Sequence, residues 1–189
     1  MVANYNEVLH ANPTLETERL FLRKFAGKDA EDILEWGTNP EVLKTLMWGG
    51  VSTIEDARGS IFNYYLSRPG IFAIELKEIK KCIGCFDIRI DAANEKAGFG
   101  YVLKRGFWGR GYMTEALRVV LDFCFAKLEL NRVEADCFAI NPASGKVMEK
   151  AGMVREGIAR QSRKIKGVWQ DCVMYGILRE DYIKHAAKR

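Results

Sequence analysis

The chain has 189 residues, of which 48% are hydrophobic and 29% charged, and its formal net charge at pH 7 is +4. This is the composition of an ordinary globular domain, which argues against disorder, collagen and coiled coil. There is no apolar run near the roughly 18 residues of a membrane span, and residues 1–13 lack the pattern of a secretory leader. We therefore expect one cytoplasmic domain over residues 1–189, with no membrane partner. Nor is a nucleic-acid partner expected, because such binders gather more positive charge on one face.

The spacing of apolar residues predicts a mixed sheet with helices on both faces. In chain order, the predicted elements are a strand at 20–25, a helix at 29–36, a short helix after Asn39-Pro40, a helix at 53–66, strands at 71–76, 82–90 and 99–103, a helix at 114–127, a strand at 133–138, a helix at 142–150, strands at 154–160 and 169–178, and a short final helix. Thr53 can cap the helix at 53–66, and Pro142 suits the first turn of a later one. The short link between 71–76 and 82–90 indicates an antiparallel hairpin.

Cysteine and histidine offer neither a metal site nor an activated nucleophile. The five cysteines are an odd number, so a disulfide framework is not expected. Cys82 and Cys85 form a C-x-x-C in a predicted strand, where residues three apart face opposite sides, so we expect structural thiols and no metal. The two histidines, His10 and His185, lie far from any Ser or Cys motif. Ser-His-Asp and Cys-His catalysis are therefore not expected.

One basic run, at 160–166, has the sequence R-Q-S-R-K-I-K. We expect it to form a solvated turn. The alternative is a surface that meets a polyanionic ligand or partner.

A glycine-rich turn joins the strand at 99–103 to the helix at 114–127. Gly106, Gly109 and Gly111 lie in it, and the start of the next helix carries unpaired N–H groups and the positive end of the helix dipole. Such a turn binds phosphate in some proteins and is only a tight connection in others. Its spacing matches neither a P-loop nor a dinucleotide-binding fingerprint.

The most specific signal in the sequence runs from Trp108 to Ala116. These residues read W-G-R-G-Y-M-T-E-A, which resembles the W-G-K-G-Y-A-T-E-A turn of the GNAT superfamily of acyl-CoA N-acyltransferases. The RimJ/RimL branch, whose members acetylate the N-termini of ribosomal proteins, is the most similar. Further matches, in family order, lie at 17–23, 132–135, 141–144, 149–153 and 169–178. They cover most of residues 15–180, and the predicted elements agree with the GNAT fold, an α/β fold with a mixed, mostly antiparallel sheet of six or seven strands.

The resemblance implies acetyl-CoA as the cofactor and assigns its contacts. Main-chain N–H groups of the turn would bind the pyrophosphate; the residues are Gly109, Arg110, Gly111, Tyr112, Met113 and Thr114. The end of the preceding strand would splay from its neighbour and pair with the pantetheine arm; its residues are Tyr101, Val102 and Leu103. One of their main-chain N–H groups would donate to the thioester oxygen, where negative charge develops during attack. Asn141 and Ser144 would lie beside the pantetheine and the sulfur. Ser144 is our candidate general acid, and the alternative is a helix-capping serine.

Three positions depart from the family pattern. Met113 replaces a small residue and is expected to narrow the cleft. Met148 stands where many members have a Tyr that protonates the leaving thiolate, which leaves Ser144 as the available hydroxyl. Gly98 stands where relatives often have Glu, so no general base is evident. The remaining carboxylates are expected to be solvated or structural; they are Asp87, Glu134, Asp136 and Asp171.

A site without a strong base favours an acceptor that is easily deprotonated. An α-amine has a pKa of about 7.8 and a lysine about 10.4, so forming the neutral amine at pH 7 costs about 1.1 and about 4.6 kcal/mol respectively. We therefore expect transfer to the N-terminal α-amine of a protein or peptide, such as a ribosomal protein. A small-molecule amine and a non-catalytic acyl-CoA-binding module are the alternatives. The resemblance also suggests a homodimer. By the same resemblance, residues 46–50 would flank the acceptor; the alternative is that Met47 and Trp48 belong to the core.

Overall fold

The computed structural model describes residues 4–186, and its eight strands form one sheet. The strands are β1 (Thr14–Glu16), β2 (Leu20–Arg23), β3 (Ile71–Leu76), β4 (Lys81–Asp91), β5 (Lys96–Leu103), β6 (Arg132–Phe138), β7 (Val154–Ile165) and β8 (Val168–Leu178). Their order across the sheet is β1-β2-β3-β4-β5-β6-β8-β7, and only the β5–β6 pair is parallel. The mixed, mostly antiparallel sheet was predicted. The additional strand, β1, is too short to give an alternation signal.

Seven α-helices lie in the same described range. They are α1 (Tyr5–Ala11), α2 (Ala30–Gly37), α3 (Pro40–Leu43), α4 (Ile54–Ser60), α5 (Tyr112–Ala126), α6 (Pro142–Lys150) and α7 (Arg179–Ala186). None of them is long and apolar enough to cross a membrane. Helix α1 was not predicted, because Leu9 is its single buried residue and one residue makes no apolar stripe.

The helices cover both faces of the sheet, as predicted. Side chains alternate between the two faces along β3. Phe72 and Ile74 pack in a core layer with α5 and α6, whereas Ile71 and Ala73 pack in a second layer with α2 and α4. We call these two sides the α5 face and the α4 face.

The helix predicted at 53–66 has the expected limits, but its winding changes. A capping box formed by Thr53 and Asp56 starts it. After α4, Ile61–Tyr65 form a π-helical turn, closed by a 2.9 Å bond from the Leu66 N–H to the Ile61 carbonyl. Ala57 and the two buried residues of this turn recur every four positions, and the wider turn keeps their side chains on one face.

The prediction that Cys82 and Cys85 face opposite sides was wrong. Ile74 pairs with Gly84 but Glu75 pairs with Cys82, so Ile83 is an extra residue in β4. This β-bulge reverses the alternation once. Both thiols therefore lie in the core layer of the α4 face. All five cysteines are free and buried.

The basic run at 160–166 does not form the turn that we expected. Strand β7 continues to Ile165 and pairs with β8 through Arg163–Gln170 and Lys164–Trp169, and only Lys166 and Gly167 turn the chain. The strand prediction stopped at 160 because residues 160–164 are all exposed, so their polar sequence gives no alternation with a buried side. The solvated character of the run was predicted correctly except at Ile165, which is buried.

Candidate active site

Strands β5 and β6 separate in the middle of the sheet. Parallel pairing joins 96 to 132, 97 to 133 and 98 to 134, and it forms no further pair in the part of the chain that the structure describes. Beyond Gly98, β5 continues to Leu103 while paired with β4 alone. The free edge of residues 99–103 therefore borders an opening between β5 and β6, which we call the wedge. The sequence resemblance implied such a splay.

The glycine-rich turn follows the wedge directly. Arg105–Phe107 form a short 3-10 turn, and then Gly109 and Gly111 adopt φ angles of +75° and +81°. A side chain is strained at these angles, which explains why the turn needs glycine at both positions. The indole of Trp108 anchors the turn by donating to the Leu103 carbonyl at 2.6 Å.

The start of α5 presents unpaired main-chain donors. Gly111 is the N-cap residue and provides no capping side chain. The first intrahelical bond runs from the Glu115 N–H to the Gly111 carbonyl at 3.0 Å, so the N–H groups of Tyr112, Met113 and Thr114 have no acceptor within the helix. They lie at the positive end of a 15-residue helix.

Two guanidinium groups add positive charge beside these donors. Arg105 lies 4.7 Å from the centroid of the Trp108 ring, and Arg110 lies 5.7 Å from that of Phe107. Both arginines are exposed. The turn thus combines free N–H groups, glycine and positive charge, the three features that favour binding of a phosphate group.

Glu115 ties the start of α5 to the turn between β1 and β2. Its carboxylate accepts bonds from the Thr17 hydroxyl at 2.6 Å, the Arg19 Nε at 2.6 Å and the Arg19 main-chain N–H at 3.0 Å. Burial favours the neutral form, but these bonds outweigh it and hold the pKa of Glu115 below its usual range. Arg19 also donates to the Arg110 carbonyl at 3.2 Å. Glu115 is a residue that sequence reasoning misses, although its place in the first helical turn is a recognisable signal.

Asn141, Ser144 and Tyr101 meet beside the wedge. The Asn141 side chain caps α6 by accepting from the Ser144 N–H at 3.3 Å, and it donates to the Thr45 hydroxyl at 3.2 Å. Ser144 is therefore not the capping residue, and its hydroxyl lies 2.9 Å from that of Tyr101. The Tyr101 hydroxyl is also 3.0 Å from the Ser144 carbonyl. Burial raises the pKa of Tyr101, so this phenol stays protonated at neutral pH.

The two methionines that depart from the family pattern both lie in the core. Met148 and Met113 are buried in the layer of the α5 face. The Met113 side chain therefore does not narrow the space above the turn, contrary to our expectation. In the segment at 46–50, Trp48 packs on Trp36 with ring centroids 5.3 Å apart, whereas Met47 is exposed.

Comparison with known proteins identifies the family. Residues 19–154 match the acetyltransferase (GNAT) domain model. The chain is 36% identical over 174 residues to an uncharacterized N-acetyltransferase, p20, of Bacillus licheniformis, which covers 89% of this chain and 98% of the relative. It is 29% identical over 87 residues, 46% of this chain and 49% of the relative, to a ribosomal-protein-serine acetyltransferase of Escherichia coli K12.

A solved structure extends the match to the fold. A GNAT-family acetyltransferase from Bacillus anthracis superposes with a TM-score of 0.80 at 30% identity, covering 88% of this chain and 99% of the other. The chain belongs to the GNAT family. It is an N-acetyltransferase that uses acetyl-CoA.

Proposed function

We propose that this enzyme transfers the acetyl group of acetyl-CoA to the N-terminal α-amine of a protein or peptide. The observation that carries the proposal is the junction of the wedge with the uncapped start of α5. An extended ligand can pair with the free edge of β5 while its phosphate group accepts hydrogen bonds from the main-chain N–H groups at the start of α5. The activity printed for the Escherichia coli relative, on a ribosomal protein, supports a protein acceptor.

In this proposal, the turn before α5 holds the pyrophosphate of acetyl-CoA. The donors are the main-chain N–H groups of Gly109, Arg110, Gly111, Tyr112, Met113 and Thr114. The pantetheine arm lies along Tyr101, Val102 and Leu103, where main-chain groups have no partner from β6. One of these N–H groups is aimed at the thioester oxygen, where negative charge grows as the amine attacks.

Acetyl-CoA supplies an activated acetyl group, and the acceptor amine attacks it directly in the mechanism that we propose. A covalent route through cysteine is disfavoured, because burial raises the pKa of Cys82 and Cys124 to about 12 and that of Cys137 to about 11. Such thiols carry almost no thiolate at neutral pH.

Ser144 is the proposed proton donor to the leaving sulfur, with Asn141 holding the start of α6 beside it. The Tyr101 hydroxyl, 2.9 Å from Ser144 Oγ, is a neutral group that can return a proton to the serine. Many family members protonate the leaving thiolate with a Tyr at the position of Met148, which here is buried in the core and has no polar group. In this proposal the two hydroxyls together take over that role.

The experiment is mass spectrometry of acetylation products on a matched acceptor panel. One peptide carries a free N-terminus and no lysine, a second carries a blocked N-terminus and one lysine, and a third set contains small amines. We expect acetylation of the first peptide only. Transfer confined to lysine or to small amines would contradict the α-amine assignment. Binding of acetyl-CoA without any transfer would indicate a non-catalytic module.

A further inference from the structure

A carboxylate with an unpaired oxygen lies one strand away from the wedge. Asp87 is on β4, and its register partner on β5 is Gly100, the residue before Tyr101. Its neighbours Phe86 and Ile88 face the α5 layer. Asp87 therefore points to the opposite side of the sheet, the α4 face.

The two oxygens of Asp87 have different surroundings. Arg68 Nη1 and Arg89 Nε both approach Oδ2, at 3.7 Å and 3.9 Å. Oδ1 is buried and has no hydrogen-bond partner among the described residues. The two guanidiniums therefore attract one oxygen and leave the other as an unused acceptor, which is a costly state for a buried carboxylate oxygen.

The sheet beside Asp87 has room for a ligand on this face. Gly98 and Gly100 of β5 face the same side, and neither has a side chain. A Cβ atom at Gly98 would meet only the Glu134 carbonyl, 3.9 Å away, and one at Gly100 would meet Arg89 at 3.4 Å. The β5 surface beside Asp87 on this face is thus main chain without side chains. The Asp87 side chain itself is 17% exposed.

We infer that Asp87 binds the acceptor amine on the α4 face and removes its proton before attack. This inference rests on the proposed function, since it needs an amine acceptor at the wedge. Tyr101 and Ser144 lie on the α5 side of β5, so the amine and the leaving sulfur meet opposite faces of the sheet. The bound ammonium supplies the Asp87 carboxylate with a hydrogen-bond donor, which the two guanidiniums, at 3.7 Å and 3.9 Å, do not.

The proton and electron balance is complete without another reactant. The ammonium R–NH₃⁺ gives one proton to the Asp87 carboxylate and becomes R–NH₂. Its nitrogen lone pair forms the C–N bond to the acetyl carbon, and the C–S pair leaves with sulfur, which takes a proton from Ser144. The nitrogen loses its second proton to solvent, Asp87 returns its own proton to water, and Ser144 is reprotonated.

The charged groups around Asp87 fit this role. Burial raises the pKa of Asp87 above its usual value. Arg68, which follows the π-helical turn, and Arg89, on the same strand, lower this pKa by less. The thiol of Cys85, on the same strand, has a pKa well above its usual value and stays neutral. The raised pKa makes the Asp87 carboxylate a better proton acceptor than a solvated one.

The test is a pH profile of Asp87→Asn, with Asp136→Asn as the matched control. Asp136 lies on β6, faces the same side and is also 17% exposed, but its Oδ1 is already bonded to Arg163 at 2.7 Å. The substrate is a peptide with a free N-terminus, and kcat/KM is measured from pH 6.5 to 9.5. We expect Asp87→Asn to lose about ten- to hundredfold at pH 7, and the loss to shrink above the amine pKa of about 7.8, where the amine arrives neutral.

Two further readouts separate a proton acceptor from a structural residue. Stabilisation by acetyl-CoA is expected to be equal in the wild type and both variants. Urea unfolding at pH 7 without ligand is expected to find Asp87→Asn at least as stable as the wild type, because the change removes a poorly paired buried charge.

An unchanged profile, a loss that is the same at every pH, or a less stable Asp87→Asn protein would overturn the inference. If the wild type acetylates no α-amine, the proposed function fails and this inference fails with it. If the wild type is active and Asp87→Asn behaves like Asp136→Asn, only this inference fails.

Discussion

Two hydroxyl groups on different elements form the proton-donating side of the site that we propose. Ser144 comes from the first turn of α6, and Tyr101 comes from the free edge of β5. Their oxygens are 2.9 Å apart. Asn141 leaves the serine hydroxyl free for chemistry, because it takes over the capping of α6.

At this scale we predict that Ser144→Ala lowers kcat by about 100-fold at saturating acetyl-CoA, the usual size of a lost general acid. Tyr101→Phe is the comparison, since it keeps the ring stacked on Phe99 and removes only the second hydroxyl. A smaller loss is expected there, because solvent can also reprotonate the serine. Steady-state kinetics at fixed pH measure both. A kcat for Ser144→Ala equal to that of the wild type would remove Ser144 from the mechanism.

The positions of single residues near the site or at a helix cap could be predicted from sequence only where those residues belong to a local motif. Asn141 and Ser144 follow from the resemblance, and Thr53 follows from its capping pattern. The contact between Tyr101 and Ser144 spans 43 residues, so no local pattern contains it. Asp87 was expected to be solvated or structural. Its unpaired oxygen could not be predicted, because it depends on two arginines and two glycines that only the folded sheet brings together.

At the scale of elements, the turn before α5 depends on backbone conformation more than on composition. Gly106 and Gly109 both have open space where a Cβ atom would lie, but only Gly109 has a positive φ, at +75°. They form a natural matched pair. We predict that Gly109→Ala costs about 1 kcal/mol of stability through strain and weakens acetyl-CoA binding, whereas Gly106→Ala leaves both nearly unchanged. Calorimetric titration with acetyl-CoA and urea unfolding test this, and equal behaviour of the two variants would contradict it.

The join between α5 and the β1–β2 turn gives a pH-dependent prediction. The folded pKa of Glu115 lies below its usual value, so its stabilisation is present above the unfolded pKa and disappears as the pH falls through the folded pKa. Glu115→Gln should therefore lower the free energy of unfolding by about 1–2 kcal/mol at pH 7 and much less in acid. The exposed Glu78→Gln is the control for loss of one charge. A deficit that persists unchanged in acid would contradict the assignment.

Element prediction failed where the pattern itself was broken. The β-bulge at Ile83 reverses alternation inside β4, and no propensity marks it. In the far half of β7, residues 160–164 are all exposed and only Ile165 is buried, so this half forms mainly because β8 pairs with it. By contrast, α6 begins at Pro142 and ends at Lys150 as predicted, because a cap, a proline and a following glycine fix both ends locally.

At the scale of the whole molecule, the sheet separates the acceptor side from the proton-donating side in the mechanism that we propose. The wedge lies in the plane of the sheet, Ser144 and Tyr101 lie on the α5 side, and Asp87 lies on the α4 side. An acyl donor held in the wedge would thus be reached by the acceptor from one face and by the proton donor from the other. The parallel β5–β6 pair allows this arrangement, because it ends after three residue pairs while both strands continue.

The same arrangement predicts that acetyl-CoA stabilises the entire fold, because it would bridge strands that are otherwise unpaired. At a concentration about 100-fold above Kd, the gain is about 2.7 kcal/mol, or about 5–10 °C in Tm for a chain of this size. Thermal unfolding with and without acetyl-CoA measures it, and Gly109→Ala should reduce the shift while Asp87→Asn should not. No shift in the wild type at millimolar acetyl-CoA would mean that the turn before α5 does not hold the pyrophosphate. A shift that Asp87→Asn abolishes would mean that Asp87 supports the donor site rather than the acceptor.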